Sequence, residues 1–252
     1  MGTMRFLIFG ATVLGAVAIG LLLPPIHQDP AYHHFADDRT LLGIPNCWNV
    51  LSNAPFFVIG ALGLGATRRE AAFAERWERW PFVTMFVGIL AIGLGSGYYH
   101  LAPDSARLVW DRLPMTIVFM AVFGVIVIER VDARLGAWLW VPLIALGVAS
   151  VFAWRSTDDL RWYVIVQFYP MVAVPLLLLL RPPRYTHAHD LVLMIVFYAI
   201  AKVLELFDAR IFALVHVVSG HSLKHLSSAL AVAWLVQMVR QRMVVDAPGG
   251  IG

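Results

Sequence analysis

Residues 81–100 read PFVTMFVGILAIGLGSGYYH. This stretch carries no charged residue and shows no alternation of apolar and polar side chains, so it predicts a helix rather than a strand. A helix of about 20 apolar residues spans the hydrocarbon core of a bilayer. The stretch ends with two polar residues one helical turn apart, Ser96 and His100. Polar groups at membrane depth are costly and need a reason.

The composition of the whole chain agrees with that stretch. Of 252 residues, 60% are hydrophobic and 14% are charged, whereas soluble domains carry about a quarter charged residues. The sequence therefore predicts an all-α integral membrane protein whose long apolar segments favour helices over a barrel. The eight segments expected to cross the membrane lie near residues 5–23, 47–66, 81–100, 112–129, 137–153, 162–180, 190–206 and 222–241.

The chain is interpreted as one domain with short additions at its ends. Residues 1–30 are expected to form an N-terminal anchor helix, with a signal peptide as the alternative. Residues 31–243 would then form a seven-helix domain, and residues 244–252 a flexible tail. The single cysteine, Cys47, excludes an internal disulfide and a cysteine-rich metal site.

The basic residues predict the orientation in the membrane. They are scattered over the loops, which argues against a nucleic-acid surface. They are also more frequent at one set of helix ends, where Arg68, Arg69, Arg76 and Arg79 lie, and such ends usually face the cytoplasm. Both termini are therefore expected to be cytoplasmic. The loops at 24–46, 101–111, 154–161 and 207–221 then lie on the outer face.

Three histidines are predicted to reach this outer level from separate segments. His221 and His225 are four residues apart and share one face of a helix, and His100 ends the segment quoted above. Neutral imidazoles suit zinc, and catalytic zinc sites commonly have three protein ligands and an open position. The glutamate of a His-Glu-x-x-His protease is missing, because Ser222 occupies that position. The alternative to a metal site is that the His221–His225 pair packs at the membrane interface.

Two further polar residues are expected at the same depth. Asp111 is expected to open the fourth helix and could transfer a proton during hydrolysis, or simply cap that helix. Ser96 could donate a hydrogen bond to an oxyanion, or be a small residue that lets two helices approach.

Together these fragments resemble the CREST superfamily, specifically the alkaline ceramidases and their bacterial relatives. The resemblance rests on Ser96-x-x-x-His100 after a glycine, on Asp111-x-x-Pro-Met, and on His221-x-x-x-His225. Residues 46–53, NCWNVLSN, look like the motif that opens the first core helix of that family. The resemblance spans about residues 33–241 and implies a seven-helix core, so the segment at 5–23 looks like an added helix.

The resemblance implies zinc-dependent amidase chemistry within the membrane. A long-chain N-acyl lipid, similar to ceramide, would be split into a free fatty acid and a sphingoid-type amine. By motif position, the zinc ligands would be His100, His221 and His225, Asp111 would transfer the proton, and Ser96 would lie beside the metal. Tyr169 is a loose match to a tyrosine that contacts the substrate carbonyl, with core packing as the other interpretation.

One departure from the family concerns calcium. Eukaryotic alkaline ceramidases have an acidic calcium site before the first core helix, and its last glutamate corresponds here to Asn46. The segment upstream contains Asp37, Asp38 and Arg39, and Arg39 could replace the cation by pairing with Asp38 or Asp208. A calcium ion, an arginine-centred polar cluster and a solvated loop all remain open at this point.

The charged residues of the seventh predicted segment have two possible explanations. Lys202, Glu205 and Asp208 follow at three-residue spacing. A structural ion pair is the expectation and a transport pathway the alternative.

Two other functions remain open from the sequence. The same metal-activated water could cleave an ester or a phospholipid, and a receptor-like or transport protein could hold structural zinc. The expected partners are membrane lipids and an N-acyl lipid substrate, and the expected location is a bacterial inner membrane with the site toward the outer face. Acyl length, headgroup and oligomeric state are not encoded in any recognisable pattern.

Overall fold

The structure, a computed structural model, describes residues 2–245, and side chains from residue 9 onward. Most of the predicted tail, residues 246–252, lies outside the described residues. The described part contains helices and two isolated β-bridges but no strand, which confirms the all-α prediction. The helices are α1 (Gly2–Leu22), α2 (Cys47–Leu51), α3 (Ala54–Ala66), α4 (Arg79–Leu101), α5 (Ser105–Arg130), α6 (Ala133–Thr157), α7 (Arg161–Leu180), α8 (His189–Leu206), α9 (Asp208–Val215) and α10 (Gly220–Gln241).

Five helical stretches within the described residues are long and apolar enough to cross a membrane. Each coincides with one of the segments expected from the sequence, which supports a multi-pass membrane protein. The count of eight crossings stays a prediction. The five stretches are Cys47–Ala66, Arg76–Leu101, Ser105–Arg130, Ala133–Thr157 and Arg161–Leu180.

The other three expected crossings also form helices, but they do not meet that criterion for physical reasons. Helix α8 carries three charged residues, Asp190, Lys202 and Glu205, and charges are costly in a membrane-spanning helix. In α10, His221, Lys224 and His225 lower the mean hydropathy of a helix that is otherwise apolar. Helix α1 counts only as a shorter apolar helix, over the residues whose side chains are described.

The first of the five stretches is broken at Ser52 and Asn53, between α2 and α3. Pro55 follows in the first turn of α3, where proline is well tolerated. Proline has no backbone N–H, so the hydrogen bond to the carbonyl of Leu51 cannot form and α2 ends at that residue. The break turns Ser52 and Asn53 into the bundle, where both are buried.

Helices α4 and α5 approach each other closely at Gly95. A Cβ atom added to this glycine would lie 2.0 Å from the carbonyl oxygen of Trp110, so a larger residue cannot be placed there without moving a backbone. The close approach brings the next residues of the two helices, Ser96 and Asp111, to the same level.

The start of α5 corrects one expectation. Asp111 was expected to open this helix, but α5 begins at Ser105 and is capped by Asp104, whose carboxylate accepts a hydrogen bond from the Arg107 N–H at 2.7 Å. Asp104 is a good N-cap in an extended conformation, so the helix starts earlier than the apolar pattern indicates. Asp111 therefore lies in the second turn, and the prediction that it caps or opens the helix is wrong.

Apolar side chains fill the centre of the bundle and cover much of its outer surface. Phe86, Ile89, Ile126 and Val239 are fully buried between α4, α5 and α10. Large apolar side chains on the outer faces are exposed, among them Leu146, Phe152 and Leu179. This pattern is expected where lipid takes the place of water around the bundle.

The N-terminal helix α1 packs along α7. Gly20 faces the ring of Trp162, and a Cβ atom added there would lie 2.5 Å from it. The carbonyl of Leu23 accepts a hydrogen bond from Arg161 at the start of α7. The division into an anchor at 1–30, a domain at 31–243 and a tail at 244–252 stays a prediction.

Candidate metal centre and active site

Three buried histidines meet where α4 ends and α10 begins. His100 is 1% exposed, His225 5% and His221 6%. Their ring centroids are 4.9–5.0 Å apart, and a nitrogen of each lies within 4.8 Å of a nitrogen of the others. Two distant parts of the chain therefore place three imidazoles close enough to share one metal ion, as expected from the sequence.

The hydrogen bonding of these histidines is incomplete. Nδ1 of His100 and Nε2 of His221 are buried and have no hydrogen-bond partner in the part of the chain that the structure describes. Leaving a buried polar atom unpaired costs about 1–3 kcal/mol, so each such atom needs an explanation. A metal ion explains both, because a neutral imidazole nitrogen is a good zinc ligand. The residues present thus fit a zinc ion.

The third histidine is held by the break between α2 and α3. The Nδ1 atom of His225 lies 2.7 Å from Oγ of Ser52 and 3.4 Å from Nδ2 of Asn53. A hydrogen bond on one ring nitrogen fixes the ring orientation and leaves the other nitrogen for a metal. The Ser222 hydroxyl also donates to Oδ1 of Asn49 at 2.8 Å, which ties α10 to α2.

Sequence reasoning assigned no role to Asn49, Ser52 and Asn53. The available signal was the polar stretch 46–53 inside an apolar segment, which was quoted only as a family-like motif. A side chain that orients a ligand through a hydrogen bond has no characteristic spacing to that ligand in the sequence. Only the packing of α2 against α10 shows which histidine is supported.

Asp111 and Ser96 lie beside the three histidines. The Ser96 hydroxyl donates a hydrogen bond to the Asp111 carboxylate, and both residues line a cavity that also includes His225 and Lys224. Ser96 is buried and Asp111 is partly exposed to this cavity. The structure therefore brings together the five residues that the sequence analysis selected, on α4, α5 and α10.

The cavity next to these residues is mostly apolar. It has a volume of about 170 Å³ and runs between α3, α4, α5, α7, α8 and α10. Its polar lining includes Asn53, Ser96, Asp111, Lys224 and His225, while most of the remaining wall is hydrocarbon. Such a lining is suited to a long alkyl chain whose polar group lies at the histidines. Its apolar wall includes Phe56, Ile92, Val118, Met194 and Leu235.

Tyr169 lies outside the lining of this cavity. Its hydroxyl is 3.2 Å from Oγ1 of Thr12 on α1, and its ring packs edge-on against Phe123 at 5.5 Å. This position matches the packing interpretation better than a contact with substrate. Another tyrosine, Tyr198 of α8, does line the cavity, and nothing in its sequence context had distinguished it.

A lysine on α10 is the main charged residue that the sequence analysis did not connect to the site. Lys224 lines the cavity, and its Nζ atom lies 2.9 Å from Oε1 of Glu205 on α8. Glu205 also pairs with Lys202, as the sequence predicted. Two cations therefore share one carboxylate, and the positive charge nearer the histidines belongs to Lys224.

The loop before α2 forms an arginine-centred polar cluster. Arg39 pairs with the buried Asp37 at 2.7 Å and donates hydrogen bonds to the carbonyls of His216 and Val217 at 3.1 and 2.7 Å. The expected partners, Asp38 and Asp208, are not the ones that it uses. Asp38 points to solvent.

Asp208 and Asn46 support the histidine-bearing helices instead. Asp208 accepts hydrogen bonds from the backbone N–H groups of Ala36 at 3.1 Å and His221 at 2.7 Å. The Asn46 side chain donates to the carbonyl of His100 at 2.9 Å. The guanidinium of Arg39 thus occupies the centre of the loop cluster, while Asn46 and Asp208 hold the ends of α4 and α10.

Comparison with known proteins gives one family. A family model described as "Ceramidase" matches residues 43–239, which is well over half of the chain and includes all three histidines. Searches of curated proteins and of solved structures find no match.

Proposed function

The chain belongs to the ceramidase family, and on that premise we propose that it is a zinc-dependent amidase working within the membrane. Membership of the family implies a hydrolase that acts on amide bonds and a lipid substrate. The finer proposal is that a long-chain N-acyl lipid similar to ceramide is cleaved to a free fatty acid and a sphingoid-type amine.

The observation that carries this proposal is the set of buried imidazoles at the end of an apolar cavity. His100, His221 and His225 offer three nitrogens within 4.8 Å of one another, and two buried ring nitrogens lack any other partner among the described residues. These three residues would hold the ion. A zinc ion held by histidines lowers the pKa of the water that it binds to about 7 and polarises a carbonyl.

Asp111 is the residue that we assign to proton transfer. Its carboxylate faces the cavity beside His225, where it can accept a proton from the attacking water and return it to the leaving nitrogen. An amide nitrogen is a poor leaving group unless it is protonated, so the return step is essential for this bond. No second carboxylate lines the cavity among the described residues.

Ser96 is proposed to position Asp111. Its hydroxyl donates to the Asp111 carboxylate and so fixes the direction of that group, and the close approach at Gly95 keeps the two helices at this distance. The oxyanion contact expected from the sequence stays the alternative role of this hydroxyl.

The apolar wall of the cavity is proposed to bind the acyl chain. An acyl chain that passes from the bilayer into this apolar cavity stays in a hydrocarbon environment, and the cavity walls can contact it along its length, which favours lipids over short amides. Binding of membrane lipids from the bilayer would need no nucleic acid or soluble protein partner. Following the basic loops, we place both termini in the cytoplasm and the site toward the outer face of a bacterial inner membrane.

The test uses the full-length protein in detergent micelles. A fluorescent N-acyl sphingosine and its O-acyl counterpart, matched in chain length, are offered to the enzyme as purified, after removal of metal, and after return of zinc. Release of fatty acid from the N-acyl lipid is expected in the first and third states, and its loss in the second.

Two results would count against the proposal. Undiminished amide hydrolysis by protein that metal analysis shows to be zinc-free would remove the metal from the mechanism. Hydrolysis confined to the O-acyl lipid would make the protein an esterase on the same scaffold.

A further inference from the structure

A second group of metal-ligating side chains lies at the opposite end of α8. His187 and His189 precede and begin this helix, and Asp190 is in its first turn. The far end of α8, with Glu205, is beside the candidate metal centre. An 18-residue helix is about 27 Å long at 1.5 Å per residue, so the two groups are at opposite faces of the bundle.

The three side chains converge on one point. His187 Nδ1 lies 3.7 Å from Oδ2 of Asp190, and His189 Nε2 lies 3.1 Å from Oδ1 of the same carboxylate. The two imidazole rings are 5.4 Å apart, and one donor atom from each residue lies within 4.8 Å of the others. Asp190 is 1% exposed, and its Oδ2 atom accepts no hydrogen bond from the described residues.

A purely structural account explains part of this arrangement. An acidic residue in the first turn of a helix is stabilised by the helix dipole, and either histidine could pair with it when protonated. That account does not require two imidazoles on one carboxylate. His187 has a positive φ of 60°, a left-handed conformation that histidine, like asparagine and aspartate, adopts more often than other side chains do, and its ring lies 5.4 Å from that of His189.

The backbone of the loop that precedes the group is held by hydrogen bonds, which fixes the position of the chain next to His187. Thr186 N–H donates to the carbonyl of Met243 at 2.9 Å, and Val245 N–H donates to the carbonyl of Arg184 at 2.9 Å. Tyr185 between them is buried and hydrogen-bonds to Glu78. The loop and residues 243–245 after α10 are therefore joined.

We propose that His187, His189 and Asp190 form a second metal site, which takes a divalent ion of the zinc class. Two imidazoles and one carboxylate are a common donor set for such ions, and bound metal satisfies the unpaired oxygen of Asp190. His189 is 67% exposed and His187 31%, so the ion enters from the aqueous side. The proposal does not depend on the proposed amidase activity.

The test is the metal content of full-length protein after dialysis against buffered free zinc. We expect about two ions per chain, one of which is lost in His189→Ala and in Asp190→Asn. His187→Asn is the third variant, since asparagine tolerates the positive φ. His34→Ala, which removes another exposed histidine, is the matched control and should retain both ions.

His225→Ala separates this proposal from the proposed function, because it removes a ligand of the other centre only. One remaining ion in His225→Ala that disappears in the His189→Ala, His225→Ala double variant would establish the second site. A single ion in the unmodified protein, lost in His225→Ala and unaffected by His189→Ala or Asp190→Asn, would overturn it. Equal loss from His34→Ala would reveal unspecific binding and also overturn it.

Discussion

Buried polar side chains occur at both ends of this bundle, but they are satisfied in different ways. At one end is the candidate metal centre, His100, His221 and His225, with two ring nitrogens that have no protein partner among the described residues. At the other end, Arg242 is fully buried and pairs with Glu129. We call the second group, Arg242, Glu129, Tyr185, Glu78 and Arg184, the Arg242 network.

The charges of the Arg242 network are balanced by its own contacts, although the ion pair between Glu78 Oε1 and Arg184 Nη1 does not have the geometry of a hydrogen bond. The Arg242 guanidinium donates to the carbonyl of Ala72 at 2.7 Å and lies over the rings of Phe73, Phe82 and Tyr185 at 4.2–4.9 Å. Glu78 pairs with Arg184 at 2.9 Å and accepts the Tyr185 hydroxyl. These contacts join the loop before α4, α5, the loop before α8 and the end of α10.

The difference shows how to distinguish a buried structural cluster from a buried site. The Arg242 charge is balanced by protein groups, so its energy comes from the fold. His225 is oriented by Ser52 and Asn53, while His100 and His221 each keep a buried ring nitrogen without a partner among the described residues. The three histidines can therefore still bind a ligand. Removing a side chain at the histidine end should therefore change function and leave stability intact. Removing one at the Arg242 end should lower stability and leave zinc binding intact.

The largest expected effect is that of Asp111→Asn on turnover. A proton-transfer group contributes about 10²–10⁴-fold, and turnover of the N-acyl lipid should fall by this factor while zinc content and melting temperature stay unchanged. Asp104→Asn is the matched control, because asparagine caps α5 as well as aspartate does. An Asp111→Asn enzyme with near-normal turnover would remove this residue from the mechanism.

Next in size is the effect of Arg242→Met on stability. It leaves Glu129 buried without its partner, which costs about 3–5 kcal/mol, and thermal unfolding in detergent should show a much lower midpoint. Zinc bound per folded chain should not change. The double variant with Glu129→Leu should recover most of the loss. An Arg242→Met protein that lost zinc but kept its unfolding midpoint would show that the two ends do not differ in the way described.

A smaller effect is expected for Ser52→Ala. The hydrogen bond to His225 orients a ligand, and loss of such support weakens metal binding by about 10–100-fold. A zinc competition titration measures this directly. Ser150→Ala, which removes another buried serine hydroxyl, should leave zinc affinity unchanged. Equal affinities in the two variants would mean that Ser52 only fills space.

The smallest effect is that of a surface ion pair, which gives a reference for the loss of stability expected from Arg242→Met. Arg161 holds the pKa of the Asp159 carboxyl at about 2, below its ordinary 3.8. Because the folded pKa is depressed, the pair stabilises the protein fully above about pH 4, and this contribution disappears as the pH falls through about 2.

Asp159→Asn should therefore lower the melting temperature slightly at neutral pH, much less than Arg242→Met, with a difference from the unmodified protein that shrinks toward pH 2. Asp38→Asn, a change of an exposed acid in another loop, is the control. A difference that persists undiminished at pH 2 would contradict the ion-pair explanation.

Much of the candidate site could be predicted because its members keep family-like spacing within single helices. His221 and His225 lie on one face whatever the rest of the fold does, and Ser96 and His100 likewise. The start of α5 was predicted too late. Its first turn, which Asp104 caps, is not part of the apolar segment from which the helix was predicted. The partner of Arg39 was also wrong, because local ion pairing with Asp37 depends on loop geometry.

By itself, the sequence determined that this chain is a helical membrane protein with three histidines, an aspartate and a serine near the ends of its helices. Apolar length and helical periodicity are local properties, and they are readable without coordinates. Only the tertiary structure decided that Ser52 supports His225, that Lys224 faces the cavity, and that His187, His189 and Asp190 share one point. Each of these depends on the rotation and depth of helices or on loop conformation, which are set by packing between side chains distant in the sequence.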